Sequence, residues 1–377
     1  MSSPSGGSKS KSSDSPQVKE ALEFLTSIVG SACQFKASDI HIRAEHQIMM
    51  RLDGRIRQVK GSPVMSDEMI ERLIFPLMSK HHLDLFEKDN QVDLSLSDND
   101  GNRVRVNMFR QLGRLAVVMR VIENHIPSME ELSLPPQVQS IAKMRQGLVI
   151  FSGATGSGKS TSMASLLNQV NQERYQHILT IEDPVEYIFT EQRCVISQRQ
   201  IGIDVPDFDR AMKAALREDP DIILMGEMRD PESIEIALTA AETGHLVFST
   251  LHAPNSADAI TRMVSSFEGD EQATIRTKLS QNLRAIVTQR LLPRKEGKGR
   301  TVACEVLTVT ALARELMVDP ERIKEVKDLI KGGDKVDGML SFDEHLMQLV
   351  REDQVSEEVA LKNATSATDL SLKLKGF

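Results

Sequence analysis

Apolar residues recur near every 3.6 positions from Val18 onward, at Ala21, Leu22, Leu25 and Ile28, and predict an amphipathic helix. The period then drops to two. Ser38 to Arg43 and Ile48 to Gly54 read as strands, with Asp53-Gly54 marking a hairpin turn, and alternation returns at Val92 to Leu96 and at Arg103 to Phe109 after Asp100-Gly101. This first block predicts a small mixed α/β domain ending near Ile126-Pro127. From Gly147 the apolar runs are continuous instead: Gly147 to Phe151, Ile178 to Ile181, Ile222 to Met225 and Leu246 to Ser249, separated by helical stretches. Runs without alternation belong to a sheet covered on both faces, which is the α/β arrangement. One intervening helix is fully specified, with Asp230 as N-cap, Pro231 in the first turn, Ile234, Ala237, Leu238 and Ala241 on one face and Gly244 past the end. Beyond Thr310 the pattern is mostly helical, and Phe342, Leu346, Leu349 and Val350 form a stripe that packs a helical subdomain rather than a membrane surface.

These changes of period divide the chain into residues 1–17, 18–128 and 129–377, the last with a helical C-terminal part from about residue 310. Residues 1–16 hold eight serines and almost nothing apolar, and read as a disordered tail. At 377 residues, 40% hydrophobic and 27% charged, the rest suffices for two cores. A net charge of -8 argues against a surface built for nucleic acid, and 4% aromatic content without tryptophan leaves little to stack on bases. Cys33, Cys194 and Cys304 are widely spaced and form no disulfide or zinc pattern. No apolar run reaches the length of a membrane span and no signal peptide is readable, so a cytoplasmic, soluble protein is expected.

The chemistry concentrates after the first continuous strand. Gly153, Ala154, Thr155, Gly156, Ser157, Gly158, Lys159 and Ser160 spell G-x-x-x-x-G-K-[ST], followed by Thr161 and a capped, helix-competent stretch to Leu167. Such a loop turns backbone N–H groups toward phosphate oxygens, while Lys159 reaches the β/γ-phosphates and the Ser160 hydroxyl ligates Mg²⁺, so ATP and Mg²⁺ are the expected ligands. Hydrolysis also needs a group that orients or deprotonates water. Glu227, ending Asp221-Ile-Ile-Leu-Met-Gly-Glu227, is the first choice for this base, although Gly226 stands where many P-loop NTPases carry a metal-binding Asp. A second acidic segment, Thr180 to Glu186, offers Glu182, Asp183 and Glu186 for metal or water. His245 and His252 flank the strand Leu246 to Leu251, and are read as lying near one sheet edge where at least one senses the γ-phosphate or the catalytic acid. Arg217 and Arg229 surround the acidic strand; Arg217 is counted among the candidate catalytic residues near the phosphate site, and ion pairing with the strand's acids is the expected role of Arg229.

Taken together, the segments Ala37 to Ile42 (ASDIHI), Gly153 to Thr161 (GATGSGKST), Thr180 to Tyr187 (TIEDPVEY), Ala215 to Asp230 (ALREDPDIILMGEMRD) and Thr239 to His252 (TAAETGHLVFSTLH) stand in the order found in secretion-superfamily hexameric ATPases. The chain resembles the type IV pilus retraction ATPases of the PilT/PilU group from about residue 18 to its last residues. The resemblance implies a PAS-like α/β N-terminal domain, a RecA-like P-loop NTPase core with a helical C-terminal subdomain, and a ring of six copies. It implies that Lys159 and Ser160 are Walker A residues, Glu227 the Walker B glutamate, Glu186 the acid of the aspartate box, and His252 with His245 the histidine box. It further implies that N-domain arginines act at the nucleotide. Arg105 and Arg120 match family arginines, whereas Arg114 is displaced from its usual place. Partners implied are an inner-membrane platform protein and related ATPases at the inner face of the cytoplasmic membrane. Within the group both a retraction and an accessory PilU-like role remain open, since Val326 to Gly333 is a partial match to the retraction segment and Leu292 to Arg300 is closer to the accessory type. Pilus extension or type II secretion, and a nucleic-acid motor, are the further alternatives.

Overall fold

Ser15 starts the first helix by accepting a hydrogen bond from the Val18 N–H, and Pro16 occupies the first turn, where its missing N–H costs nothing. Helix α1 (Pro16–Gln34) therefore begins two residues before the periodic stretch. The computed structural model describes residues 15–52, 54–122, 125–297, 299–332 and 338–376. Most of the serine-rich tail, Asp53 of the predicted hairpin and Gly333 of the partial retraction segment lie outside them.

These residues divide into two units between His125 and Ile126. In the first, α1 is followed by β1 (Ala37–Arg43), β2 (Met49–Leu52), β3 (Arg55–Gln58), α2 (Asp67–Ile74), α3 (Lys80–Asp89), β4 (Gln91–Ser97), β5 (Arg103–Gln111) and β6 (Arg114–Ile122). All six strands pair antiparallel in the order β3-β2-β1-β6-β5-β4. The alternation read along β4 and β5 is the burial pattern observed, with Leu94, Val104, Val106 and Met108 inward and Asp93, Arg105 and Asn107 on the other face. Leu25 and Val29 of α1 join those inward residues in one core.

The second unit contains α4 (Pro136–Ile141), β7 (Gly147–Ser152), α5 (Lys159–Glu173), β8 (His177–Glu182), β9 (Val195–Gln200), α6 (Phe208–Ala215), β10 (Ile222–Met225), α7 (Pro231–Glu242), β11 (Leu246–Leu251), α8 (Ser256–Ser265), α9 (Glu271–Asn282), β12 (Leu283–Pro293) and β13 (Arg300–Thr308). Its helices continue with α10 (Ala311–Val318), α11 (Val326–Gly332), α12 (Phe342–Arg351), α13 (Glu357–Asn363) and α14 (Ala367–Leu374). Seven strands form one sheet in the order β13-β12-β7-β11-β10-β8-β9, parallel throughout except for the β12–β13 pair. Every residue of β7, β10 and β11 is buried, because helices cover both faces. Val149, Phe151 and Phe248 meet Leu166 of α5 on one side, while Leu148, Ile150 and Val247 meet Leu238 of α7 on the other. Full burial of each such side chain contributes roughly 1.5–3 kcal/mol. Strands β9, β12 and β13 are absent from the hydropathy reading, because polar residues such as Thr288, Gln289 and Glu305 interrupt them yet lie buried.

Helix α7 follows its sequence signals: Asp230 and Ser233 form a reciprocal capping box, and Gly244 takes φ +105° just past the end. The C-terminal stripe packs inward as well, with Phe342, Leu346 and Leu349 of α12 against Leu292 and Ala303. Arg290 of β12 lies 4.1 Å over the Phe342 ring and donates to the Asn363 carbonyl at 2.7 Å. Inside this contact His345 is buried, and its Nδ1 accepts the Cys304 N–H at 2.8 Å. Burial pushes the imidazole down to about 4, and the neutral ring is the form that can accept the Cys304 N–H.

A pH dependence follows. The unfolded chain takes up a proton here near pH 6.5 while the folded one does not, so this stabilisation is full above that pH and lost as pH falls toward about 4. Between pH 7 and pH 5 the wild type is expected to lose roughly 2 kcal/mol more than a His345→Asn variant. Urea melts at the two pH values measure the difference, and equal losses would contradict it.

Candidate functional site

A parallel sheet delivers the carboxyl ends of its strands to one edge, and three neighbours, β7, β11 and β10, carry the chemistry there. The loop leaving β7 needs its glycines. Gly153 adopts φ +139°, and a Cβ on it would lie 2.5 Å from the Gln289 carbonyl oxygen and 2.7 Å from Ser157 Oγ. Gly158, at φ +91°, is the N-cap of α5 and offers no capping side chain, so the cap expected from the sequence is a bare glycine. This leaves the first N–H groups of α5 directed toward the anion site, where the helix dipole adds to them.

Lys159 is 8% exposed, and its Nζ donates to the carbonyls of Gly153 and Ala154, both at 3.0 Å. Burial lowers its basicity, opposed by the carboxylates of Glu227 and Glu186. Ser157 Oγ is buried without a partner among the described residues, consistent with a loop shaped for an additional acceptor. Ser160 occupies the first turn of α5 beside Lys159, and Thr161 exchanges a 2.9 Å hydrogen bond with the Tyr187 hydroxyl. Ala154, Thr155 and Gly156 form the exposed crest of the loop.

Glu227 follows β10 by two residues and is held at both oxygens. Arg229 Nε donates to Oε2 at 2.9 Å, and His252 Nε2 lies 3.2 Å from Oε1. The other ring nitrogen of His252, Nδ1, is 3.2 Å from the Gly153 carbonyl, so this histidine joins the phosphate loop to the acid. Both ring nitrogens thus face oxygen atoms, one of the loop and one of the acid. The ion pair expected of Arg229 is present. Of the aspartate-box acids, Glu186 is exposed and acts on Lys159 electrostatically, whereas Glu182 is buried. Burial pushes the Glu182 carboxyl up to about 7, and Oε2 accepts the Glu186 N–H at 3.5 Å.

His245 and His252 do not share an edge. They stand at opposite ends of β11, a six-residue strand, and so about 20 Å apart. His245 Nδ1 contacts the Ala240 carbonyl at 2.9 Å and Thr243 Oγ1 at 3.1 Å, closing the turn after α7. Arg217 follows α6 and precedes β10, which places it at that same amino edge, away from the phosphate loop of its own chain. Proximity in sequence to an acidic strand does not say at which end of that strand a residue lies. In the first unit Arg105 and Arg120 are direct cross-strand partners; Arg120 Nε donates to Asp39 at 3.0 Å and Arg105 Nε lies 3.8 Å from Asp93. Arg114 is pinned to Glu45 at 2.6 Å and Asp67 at 2.8 Å, clamping the β5–β6 hairpin to α2.

A glycine-rich phosphate loop at the carboxyl edge of a parallel sheet, with a carboxylate and a histidine converging on it, defines a P-loop NTPase. The chain belongs to the type II/IV secretion system protein family, whose model matches residues 14–374. It is 39% identical over 338 residues to the type IV pilus ATPase PilU of Pseudomonas aeruginosa, covering 90% of this chain and 88% of that one. It is 38% identical to the type IV pilus retraction ATPase PilT of the same organism, covering 90% and 98%. A crystal structure of the pilus retraction motor PilT with bound ADP superimposes with a TM-score of 0.85 at 37% identity, over 92% of this chain and 98% of that one. The core is accordingly the RecA-like fold of the secretion ATPases.

Lys159→Ala is expected to weaken ATP binding by roughly 30-fold or more, the cost of deleting one partner of a buried charge pair, as read by fluorescent-nucleotide titration. Unchanged affinity would remove this lysine from the phosphate site. Gly153→Ala puts a methyl group against the Gln289 carbonyl and is expected to lose about 1–3 kcal/mol of stability in thermal melts.

Proposed function

We infer that this chain is a motor ATPase that hydrolyses ATP to drive retraction of type IV pili, working as a ring of six copies in the cytoplasm at the membrane-embedded pilus base. The observation that carries the reading is the convergence of Lys159, Glu227 and His252 on the Gly153 carbonyl and its loop. The kinship with PilT and PilU supports the choice of filament and direction. Among the described residues no helix is long and apolar enough to cross a membrane. In this reading a platform protein attaches the ring to the membrane.

In this reading the N–H groups of residues 153–161 bind the phosphates and Lys159 exchanges its two carbonyl partners for phosphate oxygens. Glu227 orients water and takes its proton, while His252 holds the acid against the loop. Mg²⁺ fits the Ser160 hydroxyl at the open start of α5. The ion's remaining ligands in this reading are phosphate oxygens and water. When bound, Mg²⁺ screens the phosphate charge. Arg105 and Arg120 are the candidates for stabilising that charge from the N-terminal unit of the ring, each after giving up its aspartate.

Glu227→Gln is expected to keep ATP binding and to slow turnover roughly 10²- to 10⁴-fold; a rate within a few-fold of wild type would move the base to Glu186. Deleting the gene should leave cells with surplus, non-retracting pili and no twitching. Bald cells would indicate an extension motor instead, and twitching lost only under load an accessory one.

A further inference from the structure

The connection that carries His252 rests on a buried polar row that the ATPase reading leaves unexplained. Leu251, Ser152, Thr288 and Glu305 are register partners across four adjacent strands, β11, β7, β12 and β13. They lie on the face covered by α8, which packs on β12 and β13. Three of the four are polar on a face otherwise filled by residues such as Ile150, Ile286 and Leu307. Ser152 is completely buried and its hydroxyl serves both backbone groups of Ala253, donating to the carbonyl at 2.9 Å and accepting the N–H at 3.1 Å. Glu305 is 8% exposed, and its Oε1 accepts the N–H and the hydroxyl of Ser256, each at 2.8 Å. Thr288 lies between them. Both anchored residues bracket the short segment that follows His252, and Arg262 of α8 adds a third restraint by donating to the His252 carbonyl at 2.8 Å.

Helix capping does not account for Glu305. Asn255 already caps α8 by accepting the Asp258 N–H at 2.9 Å. A carboxylate in this place also carries a cost: burial pushes its pKa up, against the two Ser256 bonds and the more distant charges of Arg290 and Lys327. What the two bonds accomplish is to hang the start of α8, and with it the His252 segment, on β13 at a set height above the sheet edge. The imidazole must span from the Gly153 carbonyl to Glu227 Oε1, at 3.2 Å on each side, and neither contact survives a shift of about 1 Å.

We propose that Glu305 is a positioning residue for ATP hydrolysis, holding His252 against Glu227 through Ser256 and the 252–256 connection. This rests on the reading of His252 as the partner of Glu227 in hydrolysis. Because Glu305 touches neither the phosphate loop nor Glu227, its loss acts on turnover and spares nucleotide affinity.

The test is a double-mutant cycle in the full-length protein. Glu305→Met fills the volume but removes the acceptor, and Glu305→Gln keeps an oxygen for Ser256. Glu305→Met is expected to lower kcat roughly 10- to 100-fold, the scale of a 1 Å misplacement, with KM for ATP within about 3-fold and Glu305→Gln within about 3-fold of wild type. In a His252→Ala background Glu305→Met should cost nothing further. Equal losses in both backgrounds, a wild-type kcat for Glu305→Met, or a loss in KM alone would overturn the proposal. If Glu305→Met does not fold, Ser256→Ala removes one of the two bonds and is put through the same cycle with the same criteria. A His252→Ala protein that turns over at the wild-type rate would instead refute the role of His252 itself, and this proposal falls with it for that separate reason.

Discussion

The parallel pairing of β7 with β11 and of β11 with β10 is the constraint on which the site depends. Three strands that run in one direction, side by side and buried on both faces, bring Gly153, His252 and Glu227 to one edge although they are 25 to 99 positions apart in the chain. No local propensity achieves this. The register does, and register in a sheet covered on both faces is set by continuous apolar strands whose helices can cross over in only one hand. A slip of one residue in β11 would turn Phe248 toward the opposite core and carry His252 away from both of its partners.

Much of this was readable in the chain. The switch from alternating to continuous apolar runs separated a half-exposed antiparallel sheet from a doubly covered parallel one, and the P-loop and the acid ending β10 named the edge at which to look. The capping signals around Asp230 and Gly244 placed α7 to the residue. Strand polarity, however, is a property of the assembled sheet, and without it His245 and Arg217 looked like neighbours of the phosphate loop when they sit at the far edge. The polar interruptions in β12 and β13 concealed two strands for a related reason. Thr288, Gln289 and Glu305 look like solvent-facing residues in a linear pattern, yet each is buried, and only the helices above them make that tolerable.

The distribution of charge shows a similar division. In the first unit Arg105 and Arg120 are exposed and each is held by a single acid, the kind of pair that is weak in water. In the second, Lys159 and Glu305 are withdrawn from water and satisfied by short, directed hydrogen bonds. Surface arginines with replaceable partners can be redirected when another anion comes within reach, whereas buried groups with committed partners fix geometry. A motor needs both kinds.

The ammonium of Lys159, seated on the carbonyls of Gly153 and Ala154, gives the loop an internal plug. An anion that approaches must displace two hydrogen bonds already made at 3.0 Å. A chain of linked phosphates replaces those bonds and simultaneously occupies several backbone N–H groups. A group that engages the backbone N–H groups as well as the ammonium therefore gains more at this loop than one that meets the ammonium alone.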